Sequence, residues 1–230
     1  MSPAPLAIFD LDNTLLSGDS DVLWCEFLVA QGLLPAAQLA LNARMDADYR
    51  SGTVSALDFS QFYVGLLAGR SPAFWAPWRM RFLHEQVLPR IGDDARALVA
   101  KHRSAGHTLV LSTATNRVLT ELTAEALGIP HLIATEAALA DGRYTGRTDG
   151  VLNMRDGKVL RLHAWLAGRG LDEAARRAAL AGAHFYSDSA NDLPLLRAVG
   201  RPVVVDPDAR LLAEAQHHGW PVLHLDRSGS

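Results

Sequence analysis

The chain has 230 residues, 49% of them apolar and 20% charged, the composition of a soluble globular protein with room for one sizeable core and a smaller second unit. A formal charge of −3 with no basic block argues against a nucleic-acid partner, and the lone Cys25 excludes an internal disulfide. No apolar run approaches the roughly 20 residues of a membrane span and the first residues lack a signal peptide's basic start, so a cytoplasmic protein is expected.

In chain order, Leu6 to Phe9 is a short apolar run that suits a buried parallel strand. Similar runs are His107 to Leu111, His131 to Thr135, His184 to Tyr186 and Pro202 to Val205, with Trp220 to Leu225 a weaker sixth. Helical patterns lie between most of them. Asp93 to Ala105 begins with acids, ends with bases and stops at Gly106. Asn116 to Leu127 stops at Gly128, and Asp206-Pro207 opens a helix that Gly219 closes. This alternation predicts an α/β fold built on a doubly wound parallel sheet.

About 90 residues separate the first two strands, far more than a crossover needs. They carry helical patterns at Asp21 to Gln31, Pro35 to Arg50, Leu57 to Leu67 and Pro72 to Val87. The expected division is an α/β core of residues 1–16 and 92–230, with an all-helical domain of residues 17–91 inserted above the first strand. The glycines between Gly142 and Met154 predict a hairpin excursion.

Four places carry chemistry. Asp10 and Asp12 follow the first strand, where the chain can turn both carboxylates onto one spot. Carboxylates about 5 Å apart at an effective dielectric near 20 repel by roughly 3 kcal/mol, so the pair needs a shared proton, a cation or a metal. Ser112 and Thr113 end the second strand just before a helix, where they make an anion site or, with Thr115, merely cap the helix. Lys158 opens the helix Val159 to Leu166, against its dipole unless an anion is near. Asp188 and Asp192 follow a further strand. Pro194 sets the helix start near Asn191, so Asn191 reads as an N-cap and Asp192 as a dipole partner, which leaves Asp188 unexplained.

In that order, with Phe9-Asp10-Leu11-Asp12-Asn13-Thr14 at the head, these features resemble the haloacid dehalogenase-like superfamily of phosphatases. The resemblance implies a Rossmann-like core and a Mg²⁺-dependent phosphomonoesterase. Asp10 would be the nucleophile, forming an aspartyl phosphate, and Asp12 the general acid and base. Ser112, Thr113 and Lys158 would hold the phosphoryl group with help from Asn191. Asp10, Asp12 through its carbonyl, and Asp188 would ligate the metal, with Asp192 in or behind that shell. An all-oxygen ligand set suits Mg²⁺ rather than zinc. The expected partner is a small-molecule phosphate monoester; oligomeric state is left open.

The inserted helices resemble the lid domain of the phosphoserine-phosphatase-like branch. Phosphoserine phosphatases place a glutamate nine residues after the nucleophile; here that position is Asp19. The arginine they carry seven residues after a phenylalanine falls on Leu66, counted from Phe59. L-Phosphoserine is therefore disfavoured. An amino-bearing phosphate without a carboxylate, such as histidinol phosphate, becomes the expectation, with Asp19 as its partner. Two alternatives carry less: a phospholipid head-group phosphatase, suggested by Trp75, Trp78, Arg79 and Arg81, and a receiver-like phosphorylation switch.

Overall fold

Leu6–Phe9 (β1) is apolar at every position because it is buried on both faces at the centre of a sheet. The computed structural model describes residues 4–226. β1 pairs in parallel with Thr108–Asn116 (β2) on one side and His184–Ser187 (β5) on the other. Outside β2 lie His131–Ala140 (β3) and Arg143–Asp149 (β4); outside β5 lie Arg201–Val205 (β6) and Val222–Leu223 (β7). The order is β4-β3-β2-β1-β5-β6-β7, and every pair except the antiparallel β3–β4 is parallel.

Two clusters fill the faces. One gathers Phe9, Leu111 and Leu119 with Trp24, Phe27 and Phe82; the other gathers Ile8, Val110, Leu162, Phe185 and Leu195. Period-two alternation along β1 and β2 sends neighbouring residues to opposite clusters.

Four helices stand between β1 and the helix preceding β2: Ser20–Ala30 (α1), Gln38–Arg50 (α2), Ala56–Gly65 (α3) and Pro72–Phe82 (α4). The last runs on through a wide turn at Leu83–Val87. Asp93–Ser104 (α5) leads into β2, and Arg117–Ala126 (α6) follows it. Asp156–Gly168 (α7) and Glu173–Ala181 (α8) precede β5, Leu193–Ala198 (α9) follows it, and Ala209–His218 (α10) ends at left-handed Gly219. Among the described residues, no helix is long and apolar enough to cross a membrane.

Several local expectations shift. The hairpin lies between β3 and β4, where Asp141 and Gly142 have φ of 50° and 72° and make the tight turn. Its outer strand is covered rather than bare: Tyr144 N donates to Arg70 O at 2.9 Å and Gly69 N to Tyr144 O at 2.8 Å. α10 begins at Ala209 with Asp208 as its cap, not at Asp206-Pro207, since Asp206 sits at a φ of 42°. α8, absent from the expected elements, has Asp172 as its cap, Glu173 in its first turn and an alanine-rich run that ends at Gly182. β2 is the consequential difference: it continues as strand past Ser112 and Thr113 through Asn116.

Candidate active site

The carboxyl ends of β1, β2 and β5 meet with the first turn of α7, as expected where ligands bind parallel sheets. Lys158 is the centre of this meeting. Its side chain is only 2% exposed, and Nζ donates to Asp10 Oδ1 at 2.8 Å and to Asp192 Oδ2 at 2.6 Å. Burial alone would lower the lysine pKa, but the Asp10 and Asp192 carboxylates outweigh it and hold the ammonium charged.

Thr14 ties the next carboxylate in. Its Oγ1 donates toward Asp188 Oδ1 at 2.9 Å and lies 3.3 Å from Asp10 Oδ2, while accepting from Asp188 N at 3.0 Å. Burial pushes Asp10 well above the usual carboxylate range; Lys158 opposes this, and Asp192, Asp188 and Asp12 add to it. Asp188 is raised to about 7, chiefly by burial. Crowded carboxylates with raised pKa values around one spot are what a bound cation would relieve. Asp10 and Asp188, both reached by the Thr14 hydroxyl, offer carboxylate oxygens of the kind that Mg²⁺ takes.

Asp192 adjoins this group through the lysine: its Oδ2 accepts from Ser187 Oγ at 2.7 Å as well as from Lys158 Nζ. Asn191 is not the helix cap that Pro194 suggested. A short turn at Ala190–Asp192 intervenes with Ser189 as its cap, because Ser189 Oγ accepts from Asn191 N at 3.2 Å. The freed Asn191 amide donates to the Tyr49 hydroxyl of α2 at 3.2 Å and accepts from Arg155 Nε at 3.3 Å.

The longer β2 re-sorts the hydroxyls. Thr113 and Thr115 share the face toward Asp12, with Thr115 Oγ1 at 2.8 Å and Thr113 Oγ1 at 3.4 Å from Asp12 Oδ2. Ser112 takes the alternate face, in register with Val110; it is as fully buried as Thr113, and its Oγ accepts from Asn153 Nδ2 at 3.1 Å. Strand alternation therefore turns Thr113 toward Asp12 and Ser112 toward Asn153. None of the three hydroxyls caps α6; its cap residue is Asn116.

Asp12 also accepts from Ser20 N at 2.7 Å, at the amino end of α1. Asp19 caps the same helix, accepting from Asp21 N at 2.9 Å and Val22 N at 3.1 Å. Burial and then the Asp12 charge raise Asp19 to about 7, and Asp46 of α2 raises it further. Asp21 is raised well above the usual range by burial and by Asp19. A net acidic corner therefore adjoins Asp12. Arg50 lies at its rim, paired with Asp46 at 2.8 Å. Leu66, where an arginine was sought, ends α3.

Asn153 was missed by sequence reasoning. Fully buried, its amide donates to Thr113 O at 2.9 Å and Ile133 O at 2.9 Å besides Ser112, and its backbone N donates to Thr135 Oγ1 at 3.1 Å. It locks the loop before Lys158 to β2 and β3. A polar residue between Leu152 and Met154 was the signal available. The aromatic-basic stretch is built into packing: Trp75 is buried and donates to Leu67 O at 3.1 Å, Arg79 pairs with Glu121, and Arg81 with Glu85.

Residues 7–197 match the family described as haloacid dehalogenase-like hydrolase. A protein of Neisseria meningitidis serogroup C named histidinol-phosphatase is 40% identical over 96% of this chain and 98% of its own length. A crystal structure of a Bordetella pertussis Tohama I protein of unknown function is 42% identical, covering 96% of this chain and 98% of that one, with a TM-score of 0.90. A phosphoserine phosphatase captured as a phospho-aspartyl intermediate analogue shares the fold at 16% identity, over 98% of this chain and 95% of that one, with a TM-score of 0.69. The chain belongs to the haloacid dehalogenase-like hydrolases, in the phosphoserine-phosphatase-like branch.

Proposed function

We propose that this phosphatase hydrolyses a small amino-bearing phosphate monoester, of the histidinol phosphate type, through an aspartyl phosphate on Asp10. The observation that carries the chemistry is Lys158 Nζ, buried and bridging Asp10 and Asp192 beside Asp188 and Thr14. Asp10, Asp188 and the Asp12 carbonyl would hold Mg²⁺, which when bound supplies charge neutralisation between the carboxylates and the incoming phosphate. Lys158 and the Thr113 hydroxyl stabilise charge on the phosphoryl oxygens as they develop it. The Asp10 carboxylate attacks phosphorus as the ester P–O bond breaks, and Asp12 protonates the departing oxygen. Asp12 then takes a proton from water as the water oxygen bonds to phosphorus and the P–O bond to Asp10 breaks, which releases inorganic phosphate and restores Asp10. Residues 17–91 act as a lid, with the Tyr49–Asn191 bond as one of its contacts to the core.

The substrate class rests on the cluster of Asp12, Asp19, Asp21 and Asp46, whose mutual repulsion a cationic leaving group would relieve. The relative named histidinol-phosphatase supports the same direction. A panel of metabolite phosphates with Mg²⁺ tests it. Histidinol phosphate should give a higher kcat/KM than L-phosphoserine, and the reverse order would sink the substrate assignment. Activity retained in Asp10→Asn would sink the mechanism.

A further inference from the structure

The opposite end of the sheet carries a second group of side chains that phosphate hydrolysis does not use. His102 lies in the last turn of α5, His107 directly precedes β2, and His184 opens β5. Their meeting follows from topology. β2 and β5 flank β1 in parallel, so both begin at the same edge of the sheet. α5 ends there in a tight reversal, with Gly106 at a φ of 73° and His107 N donating to His102 O at 3.1 Å.

The rings converge. His102 Nδ1 and His107 Nδ1 are 2.7 Å apart, and one nitrogen from each of the three residues lies within 4.8 Å of the others. His184 stacks on His107 with centroids 5.6 Å apart and meets His102 edge-on at 4.8 Å. His102 Nε2 is 2.8 Å from the Tyr186 hydroxyl, which fixes the ring from behind. Burial, with His184, His107 and Lys101 adding, pushes His102 down to about 4. Burial and Arg201 lower His184 as well. Neutral imidazoles are the form that binds metals.

We propose that His102, His107 and His184 form a binding site for one divalent ion of the zinc class, separate from the phosphate site. Three imidazoles suit Zn²⁺ and its neighbours and do not suit Mg²⁺, so the two sites would not compete for the same ion. Nitrogens around a tetrahedral ion at about 2.0–2.1 Å sit roughly 3.3 Å from one another, so the His102–His107 pair opens by about half an ångström. The proton shared by that pair then moves to His102 Nε2, where the Tyr186 hydroxyl can accept as well as donate. Lys101 and Arg201, the latter 3.3 Å from His184 Nε2, keep the affinity below that of a closed four-ligand structural site. The ion would pin the end of α5 to the starts of β2 and β5.

The full chain, stripped with chelator and resupplied with saturating Mg²⁺, is titrated with Co²⁺ and separately with Zn²⁺. One Co²⁺ should bind with the intense visible absorption of a tetrahedral nitrogen site, and calorimetry should count one matching Zn²⁺. His107→Ala and His184→Ala should weaken binding at least about tenfold while leaving para-nitrophenyl phosphate turnover with Mg²⁺ unchanged. The band should persist in Asp188→Asn. No ion bound by the wild type overturns the proposal. So does binding that survives both histidine variants but is lost in Asp188→Asn, since the ion would then sit among the carboxylates.

Discussion

Asp192 Oδ2 accepts from Lys158 Nζ at 2.6 Å and from Ser187 Oγ at 2.7 Å, a pairing through which the last aspartate of the site would act on the lysine. Asp192→Asn keeps the shape but removes the charge that holds the ammonium. Turnover should fall about 10- to 100-fold, while the Mg²⁺ concentration giving half-maximal activity changes little. Asp188→Asn should instead raise that concentration strongly. Mg²⁺ titrations of activity for both variants separate the two roles, and a large Mg²⁺ shift in Asp192→Asn would return it to the ligand set.

Removing the lysine is expected to damage folding as well as catalysis. Lys158→Met leaves the buried Asp10 and Asp192 without their partner, at a cost of about 3–5 kcal/mol. The sum should be visible as a lowered urea midpoint without Mg²⁺, together with near-complete loss of turnover. A variant of wild-type stability would mean the two carboxylates are relieved in some other way.

Thr113 and Ser112 should diverge despite being neighbours. Thr113→Ala is expected to lower kcat about tenfold or more with little change in stability, since its hydroxyl faces Asp12. Ser112→Ala should cost only about 0.5–1.5 kcal/mol, the net worth of one hydrogen bond, because the Asn153 amide keeps Thr113 O and Ile133 O as acceptors, and leave kcat close to wild type. Paired kinetics and thermal melts decide, and the opposite pattern would restore Ser112 to the site.

In chelator, stability should fall as pH rises. Asp19 and Asp188 are raised from 3.8 to about 7, so each binds its proton more tightly in the folded chain. Their contribution is complete below 3.8 and is lost as pH climbs through about 7. Melting temperature should therefore be higher near pH 6 than near pH 8, and Mg²⁺ should flatten the slope by engaging Asp10 and Asp188 as anions. A profile that rises with pH in chelator would contradict the burial of these carboxyls.

Asp19→Asn separates charge from helix capping, because the amide oxygen can still accept from Asp21 N and Val22 N. For histidinol phosphate, KM should rise about tenfold, the equivalent of roughly 1.4 kcal/mol of lost attraction, with para-nitrophenyl phosphate unaffected. Equal effects on both substrates would place Asp19 in the scaffold alone.

The amino-acid sequence by itself determined the parallel sheet and the four strand and helix ends that carry polar groups to one place. Those features are local: apolar runs of strand length, a DxD turn, a lysine against a helix dipole and a proline marking a helix start. It also located the helical insertion, because no strand pattern exists between Asp12 and His107. What it left undecided depends on where a strand stops and on which side chains meet across the sheet. β2 runs through Asn116 because its far half still pairs with β3, and that pairing turns Thr113 toward Asp12 and Ser112 toward Asn153. Likewise, Asp192 holds Lys158 across 34 positions and His102 meets His184 across 82, distances over which no local pattern acts. Such pairings are set by the packing of whole elements, so only the tertiary structure could decide them.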